Sequence, residues 1–594
     1  MEGDIFSYIN SMTIYIISRQ ILKGELMTPE ERNRIVSYEY ADILVEYNGD
    51  MSVFERFQNA TIQIINLAFG VVHVPIIQIT GLSILQLGYA AMPTCFGMIS
   101  EASLNASGIT KLRNTPNFDL RGQGVLIGII DSGIDYTNPI FLNEDNTTRI
   151  ITIWDQTIVS ENYPKDFYYG TEYNSVQINE ALKSENPLSI VPSTDDVGHG
   201  TMLAGIAAGN EVPESDFYGT APEAELIIVK LKPAKPYLKD IFVIPESVIC
   251  YQENDIMAGL QYIIDRAIEL KRPIAICIAL GTSQGAHDGR GSLSNFISIM
   301  ADVPGVAVII AAGNEGNAKR HYYGIVDPNI GYETVELNIG ENESGFSMEL
   351  WGDSPSTFSI DILTPTGEYV PKITAKLDEN RDISFVFEDT TILVDYQMVE
   401  SQSGDQLILV RFRNPTAGIW RFRVYGRGDL TLGFHIWLPM HGFISDNSYF
   451  IRSNPDTTVL SLGNAIVPIT ITAYNHENDS LYLNASRGYT RINIIKPEIA
   501  APGVNVIGPT LNHEFAAMTG TSVAAAHTTG VAAMLLEWGI GRGNLLNIDT
   551  IEIKKLMMRG ARRNVNEVYP NKGWGYGILD IFNIYNSLRM ELPQ

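Results

Sequence analysis

Three uninterrupted apolar runs set the frame for this chain. Gly124-Val125-Leu126-Ile127-Gly128-Ile129-Ile130, Ile274-Ala275-Ile276-Cys277-Ile278-Ala279-Leu280 and Val306-Ala307-Val308-Ile309-Ile310 carry no charged or polar side chain on either face. A strand of that kind must be covered on both sides, as in a parallel sheet flanked by helices; an antiparallel sheet with one wet face alternates instead. Over 115–325 such runs alternate with helical patterns, so the expected class is α/β. At about 326 the pattern changes. Short alternating strands at 346–351, 358–363, 383–387, 407–412 and 420–425 are separated by turn residues, the pattern of a β-sandwich. The βα pattern resumes after about 455, so the sandwich is read as an insert into an α/β domain.

Ahead of this domain, residues 1–34 carry a helical pattern (Ile5, Ile9, Met12, Ile16, Ile17), and 35–91 mix short strands with helical stretches as a small α+β unit. The stretch 57–100 contains no Asp, Glu, Lys or Arg, but Pro75, Pro93 and polar Gln63, His73, Gln78 and Gln86 interrupt it. A membrane span needs about 20 consecutive apolar residues, so this segment is expected to lie under other protein, with no membrane span. The opening MEGDIFSYIN has no basic segment leading into an apolar run, which reads as no signal peptide and cytoplasmic synthesis. With 68 acidic against 41 basic residues and a net charge of −27, nucleic acid is not an expected partner, since Lys and Arg must supply phosphate contacts. Three cysteines (Cys95, Cys250, Cys277) make neither a disulfide framework nor a C-x-x-C pair. No loop has diagnostic calcium spacing, so neither metal nor cofactor is expected.

Four short blocks sit where an α/β fold exposes its loops. Asp131, in Ile129-Ile130-Asp131-Ser132-Gly133, follows a buried strand, placing a carboxylate at the carboxyl edge of the sheet where ligands bind; a capping Asp would look the same. His199 lies between glycines in Gly198-His199-Gly200-Thr201, ahead of a small-residue helix. Asn314, in Ala312-Gly313-Asn314-Glu315, is either an amide donor or a turn residue. Ser522, in Gly520-Thr521-Ser522, opens a helix, where free N-terminal amides can hold an oxyanion; an ordinary N-cap is the plainer reading.

In the order Asp, His, Asn, Ser, these blocks resemble the subtilisin-like serine peptidases, supported by Leu280-Gly281-Thr282 and Lys496-Pro497-Glu498. The resemblance implies Asp131, His199 and Ser522 as a catalytic triad, with Asn314 and the Ser522 N–H as the oxyanion hole. It further implies Leu280 and Gly281 on the strand that pairs with substrate, and Glu315 beside the S1 pocket. Two departures from the family pattern are Ala526, usually Pro, and Ala279, usually Ser. The architecture is similar to the clostridial Csp germination proteases, with an N-terminal prodomain and a jelly-roll insert.

The boundaries expected on this basis are 1–34 for an N-terminal extension, 35–91 for a prodomain, 92–325 and 453–594 for the catalytic domain, and 326–452 for the insert. The function implied is a serine endopeptidase acting on a protein substrate, a zymogen being one candidate. Its own prodomain would be bound in the cleft and self-cleaved between Gly88 and Pro93, with residues 87–91 as the tail in the cleft. The alternative is a catalytically silent relative acting as a sensor or scaffold in spore germination. A third reading makes the insert a binding module if Trp351, Trp420 and Trp437 form an exposed row.

Overall fold

The computed structural model describes residues 27–58, 60–79, 83–99, 101–102, 120–374, 380–430 and 432–589. The helical pattern at Ile5 to Ile17 lies outside the described residues.

The three apolar runs become neighbouring strands of a nine-stranded sheet. Its order is Ser480–Leu481, Ile469–Asn475, Val306–Ala311, Ile274–Ile278, Leu126–Asp131, Glu225–Lys230, Ile150–Asp155 and Thr171–Asn174, with Ile499–Pro502 also paired to Ile469–Asn475. All pairings are parallel except those of Ser480–Leu481 and Thr171–Asn174. Successive side chains of a strand face opposite ways, and here they enter two different cores. Ile127, Ile129, Ala275, Cys277, Ala307 and Ile309 pack with the helices His199–Ala208 and Thr521–Leu536. Ile130, Ile276, Ile278, Val308 and Ile310 pack with Glu253–Leu270 and Ser292–Ala301. That double burial is why the runs lack polar positions. One helix among the described residues, Thr521–Gly541, is long and apolar enough to cross a membrane, but it is 83% buried inside the protein.

Much of the described part of the stretch without charges is buried, though Ile77 and Leu67 are exposed. Thr61–Ile64 and Phe69–Pro75 join Tyr40–Glu46 in a three-stranded antiparallel sheet, and the Phe69 ring lies 5.9 Å from that of Phe296 in the main domain. The residues from His321 to Phe450 form two antiparallel sheets, of six and five strands, around a core of their own. Trp351, Trp420 and Trp437 are 1%, 0% and 3% exposed, so they form no exposed row, and the binding-module reading loses its support.

Residues 87–91 do not lie extended. Ser83–Leu87 is helical and Tyr89–Ala91 a 3-10 turn. The Tyr89 hydroxyl donates to Glu349 Oε1 at 2.8 Å, and its ring packs edge-on to Phe242 and Trp351. A buried aromatic seat thus holds the segment expected in the cleft. Glu101–Ala102 is a short strand.

Candidate active site

Asp131 ends the central strand Leu126–Asp131, and the helix that starts at His199 leans over it. The approach is backbone to backbone: a Cβ on Gly200 would sit 2.1 Å from the Gly133 carbonyl oxygen, so only glycine permits it. Asp131 Oδ1 accepts from His199 Nδ1 at 2.8 Å and from the Ser132 amide at 2.8 Å. Burial alone would lower the His199 pKa, but the Asp131 charge and hydrogen bond, helped by Asp195, outweigh it and raise the imidazole above its usual value.

Asp195 is a residue whose role sequence reasoning missed. It accepts from Ser132 Oγ, the Gly198 amide, and both the amide and hydroxyl of Thr201, each at 2.8 Å. This fixes the Asp131 turn and the His199 turn to each other. A carboxylate three residues before Gly-His-Gly is the only local signal, and its partner Ser132 is 63 residues away.

Ser522 lies in the first turn of Thr521–Leu536, fully buried. The Asn314 Oδ1 accepts from the amide and hydroxyl of Thr521, at 3.2 and 3.1 Å. With its oxygen so engaged, the amide nitrogen is left for the cleft. One point locates the cluster: a Cβ built on Gly520 would lie 3.4 Å from Asn314 Nδ2, 3.4 Å from Ser522 Oγ and 3.7 Å from the Ile99 carbonyl oxygen. Ser522 Oγ has no hydrogen-bond partner among the described residues, while the His199 imidazole interacts with the Ile99 backbone, which also raises its pKa.

The chain's own residues 95–99 and 101–102 lie in this site. Cys95–Met98 lies antiparallel between Tyr251–Gln252 and Leu280–Gly281, pairing Met98 with Leu280 and Gly97 with Gly281. The Ile99 amide donates to the Ala279 carbonyl at 3.1 Å. Beyond, Glu101–Ala102 pairs with Phe515–Thr519, Glu101 opposite Thr519. Ile99 is therefore the residue whose carbonyl meets the cluster, with strand pairing on both sides of it. Beside the Cys95–Met98 strand runs a groove of ≈ 660 Å³ bordered by His199, Met202, Val248, Ile249, Leu511 and Met518.

Glu315 is not a free carboxylate beside the cleft. Its Oε2 pairs with Arg320 Nη1 at 2.9 Å, both side chains 4% exposed, and its Oε1 accepts from the His441 amide at 2.9 Å. The buried guanidinium and that amide occupy both oxygens, so a direct charge on the S1 rim is not what this residue supplies. Among the described residues, no three His, Cys, Asp or Glu are grouped to hold a metal ion.

The model of the subtilase family matches residues 122–328 and 447–577, leaving out most of the two antiparallel sheets. The solved structure of the Clostridium perfringens CspB protease is 29% identical, with a TM-score of 0.72 over 81% of this chain and 96% of that one. Among curated proteins, the PII-type proteinase of Lactococcus lactis subsp. cremoris is 23% identical over 77% of this chain, and the C5a peptidase of Streptococcus pyogenes serotype M1 is 23% identical over 70%. The chain spans only 24% and 34% of the length of those two. The match over more than half of the residues, on a sheet of subtilisin type, is decisive: the chain belongs to the subtilase family.

Proposed function

We propose that this protein is a serine endopeptidase that cleaves its own chain after Ile99. The observation that carries the reading is the seating of 95–99 and 101–102, in which backbone pairing on both sides presents the Ile99 carbonyl to Ser522, His199 and Asn314. Ser522 Oγ attacks that carbonyl while His199 Nε2 takes its proton and later gives it to the leaving amine. Asp131 holds the imidazole with Nδ1–H toward it and stabilises the imidazolium. The Asn314 Nδ2 and the Ser522 amide, a free donor at a helix N-terminus, receive the oxyanion. Water then releases the acyl group as the Ile99 carboxylate. An intramolecular scissile bond held in this register reacts at a large effective concentration.

The region before Ile99 then acts as a prodomain, and the cut falls later than the 88–93 window read from sequence. In trans, the same strand pairing suits an extended segment of another protein; the Csp resemblance points to a zymogen in spore germination as its class. The silent-relative alternative draws on the lack of a Ser522–His199 hydrogen bond. Such bonds often close only in the reacting complex, so the question is one of reactivity. A fluorophosphonate probe should label wild type and not Ser522→Ala. A wild-type protein, folded and freed of its N-terminal unit, that stays unlabelled would support the silent reading instead.

A further inference from the structure

Gly97 stands third from the proposed cut, counting Ile99 as P1, and is the P3 residue. Its Cα faces an aromatic wall. A Cβ there would be 2.9 Å from Phe443 Cε1, 3.3 Å from Phe443 Cζ and 3.4 Å from Met440 Cε. Phe443 and Met440 are 4% and 3% exposed and belong to the main core, with Phe443 also bordering the groove beside the strand.

The wall is a built feature. Residues 440–443 form a tight turn in which the Phe443 amide donates to the Met440 carbonyl at 3.1 Å. Gly442 at its third position has φ +85°, a conformation that glycine adopts without penalty. The turn is tied to the catalytic loop, since the His441 amide donates to Glu315 Oε1 and Glu315 follows Asn314. Arg320 bridges Glu315 at 2.9 Å and Asp446 at 2.6 Å, and His441 Nδ1 lies 3.0 Å from Asp446. Glu315 thus bears on substrate through this turn. The turn comes from the end of the inserted sheets, outside the stretches that match the family model.

We propose that the 440–443 turn makes this peptidase select glycine at P3, with Phe443 as the residue that excludes larger side chains. The proposal rests on the endopeptidase reading above. In an extended peptide paired to Leu280–Gly281, a P3 side chain would have to enter the volume of the Phe443 ring, so the strand would lift and carry the P1 carbonyl away from Ser522. A displacement of about 1 Å costs on the order of 10²-fold in rate.

The test is self-cleavage of the full chain, followed by intact mass, in wild type, Gly97→Leu and Gly97→Leu/Phe443→Ala. Gly97→Leu should slow the appearance of the fragment ending at Ile99 by about 10²-fold, and the double variant should recover most of that loss. Because Gly97→Leu can also perturb folding, the aldehydes of Phe-Gly-Met-Ile and Phe-Leu-Met-Ile are compared on processed wild type freed of its N-terminal unit, by protection of Ser522 from fluorophosphonate. The glycine peptide should protect at a concentration at least about tenfold lower, a difference erased by Phe443→Ala. Equal protection by both peptides, or Gly97→Leu cut at the wild-type rate, overturns the glycine rule alone. A wild type neither cut nor labelled overturns the endopeptidase reading and this proposal with it.

Discussion

At the scale of single residues, the site is held by groups that do not react. Asp131 is oriented by the Ser132 amide, His199 by Asp131, and both turns by Asp195. The electrostatic consequence can be measured. His199 must be neutral to accept the Ser522 proton, and its pKa is raised because Asp131 favours the imidazolium despite burial. Activity is therefore present at high pH and lost as pH falls through that raised value, so the acid limb of the self-cleavage rate should lie above pH 6.5, the usual value for imidazole. Asp131→Asn removes the attraction: the limb should move to lower pH while the rate falls by about 10⁴-fold, the loss found when a triad Asp becomes Asn. A pH–rate profile of wild type checks the limb, and an unchanged limb in Asp131→Asn would exclude Asp131 as its cause.

At the scale of elements, the N-terminal sheet docks through one buried carboxylate. Asp42, in Tyr40–Glu46, accepts from Lys235 Nζ at 2.7 Å, His73 Nδ1 at 2.7 Å and Gln252 Nε2 at 2.6 Å, while its amide donates to the Tyr237 hydroxyl. Burial pushes the Asp42 pKa up, but Lys235 and His73 hold it far below the usual carboxylate range. Burial also lowers His73, in spite of Asp42. Both shifts have the same sign for docking. The depressed groups contribute stability above their unfolded values, and it is lost as pH falls, for His73 from about pH 6.5 downward. Asp42→Ala leaves Lys235 buried without its carboxylate and should cost about 3–5 kcal/mol. Thermal melts across pH 5–8 check both points. A wild-type unit that holds as firmly at pH 5 as at pH 8, or a variant melting with wild type, would contradict them.

The same scale explains what could be read from sequence. The runs at 124–130, 274–280 and 306–310 announce a doubly covered sheet because every residue has a core to enter, and the glycines around His199 and Ser522 mark backbone approaches that need no tertiary knowledge. The strand Cys95–Met98 has no such local mark. It is extended because Tyr251–Gln252 and Leu280–Gly281, more than 150 residues away, flank it, so the sequence alone places the tail at 87–91 instead. The partners of Glu315 are one near residue, Arg320, and one distant group, the His441 amide from the insert, which no local pattern marks.

At the scale of the whole molecule, three parts meet at the cleft. The main domain supplies Asp131, His199, Asn314 and Ser522, the N-terminal part brings residues 95–99 to them, and the inserted sheets add the turn against Gly97. The insert is fastened to the main domain by Arg411 Nη1 to the Ile241 carbonyl, by Arg491 to Asp353 and by the Trp437 ring stacked 4.1 Å from His287. On the proposed function, the first bond this chain cuts is its own. Intact-mass analysis of purified wild type and Ser522→Ala tests this most directly. The account predicts two wild-type fragments, the first ending at Ile99, and one full-length chain from the variant. An uncut wild type, a first fragment ending elsewhere, or equal cutting in both proteins would contradict it.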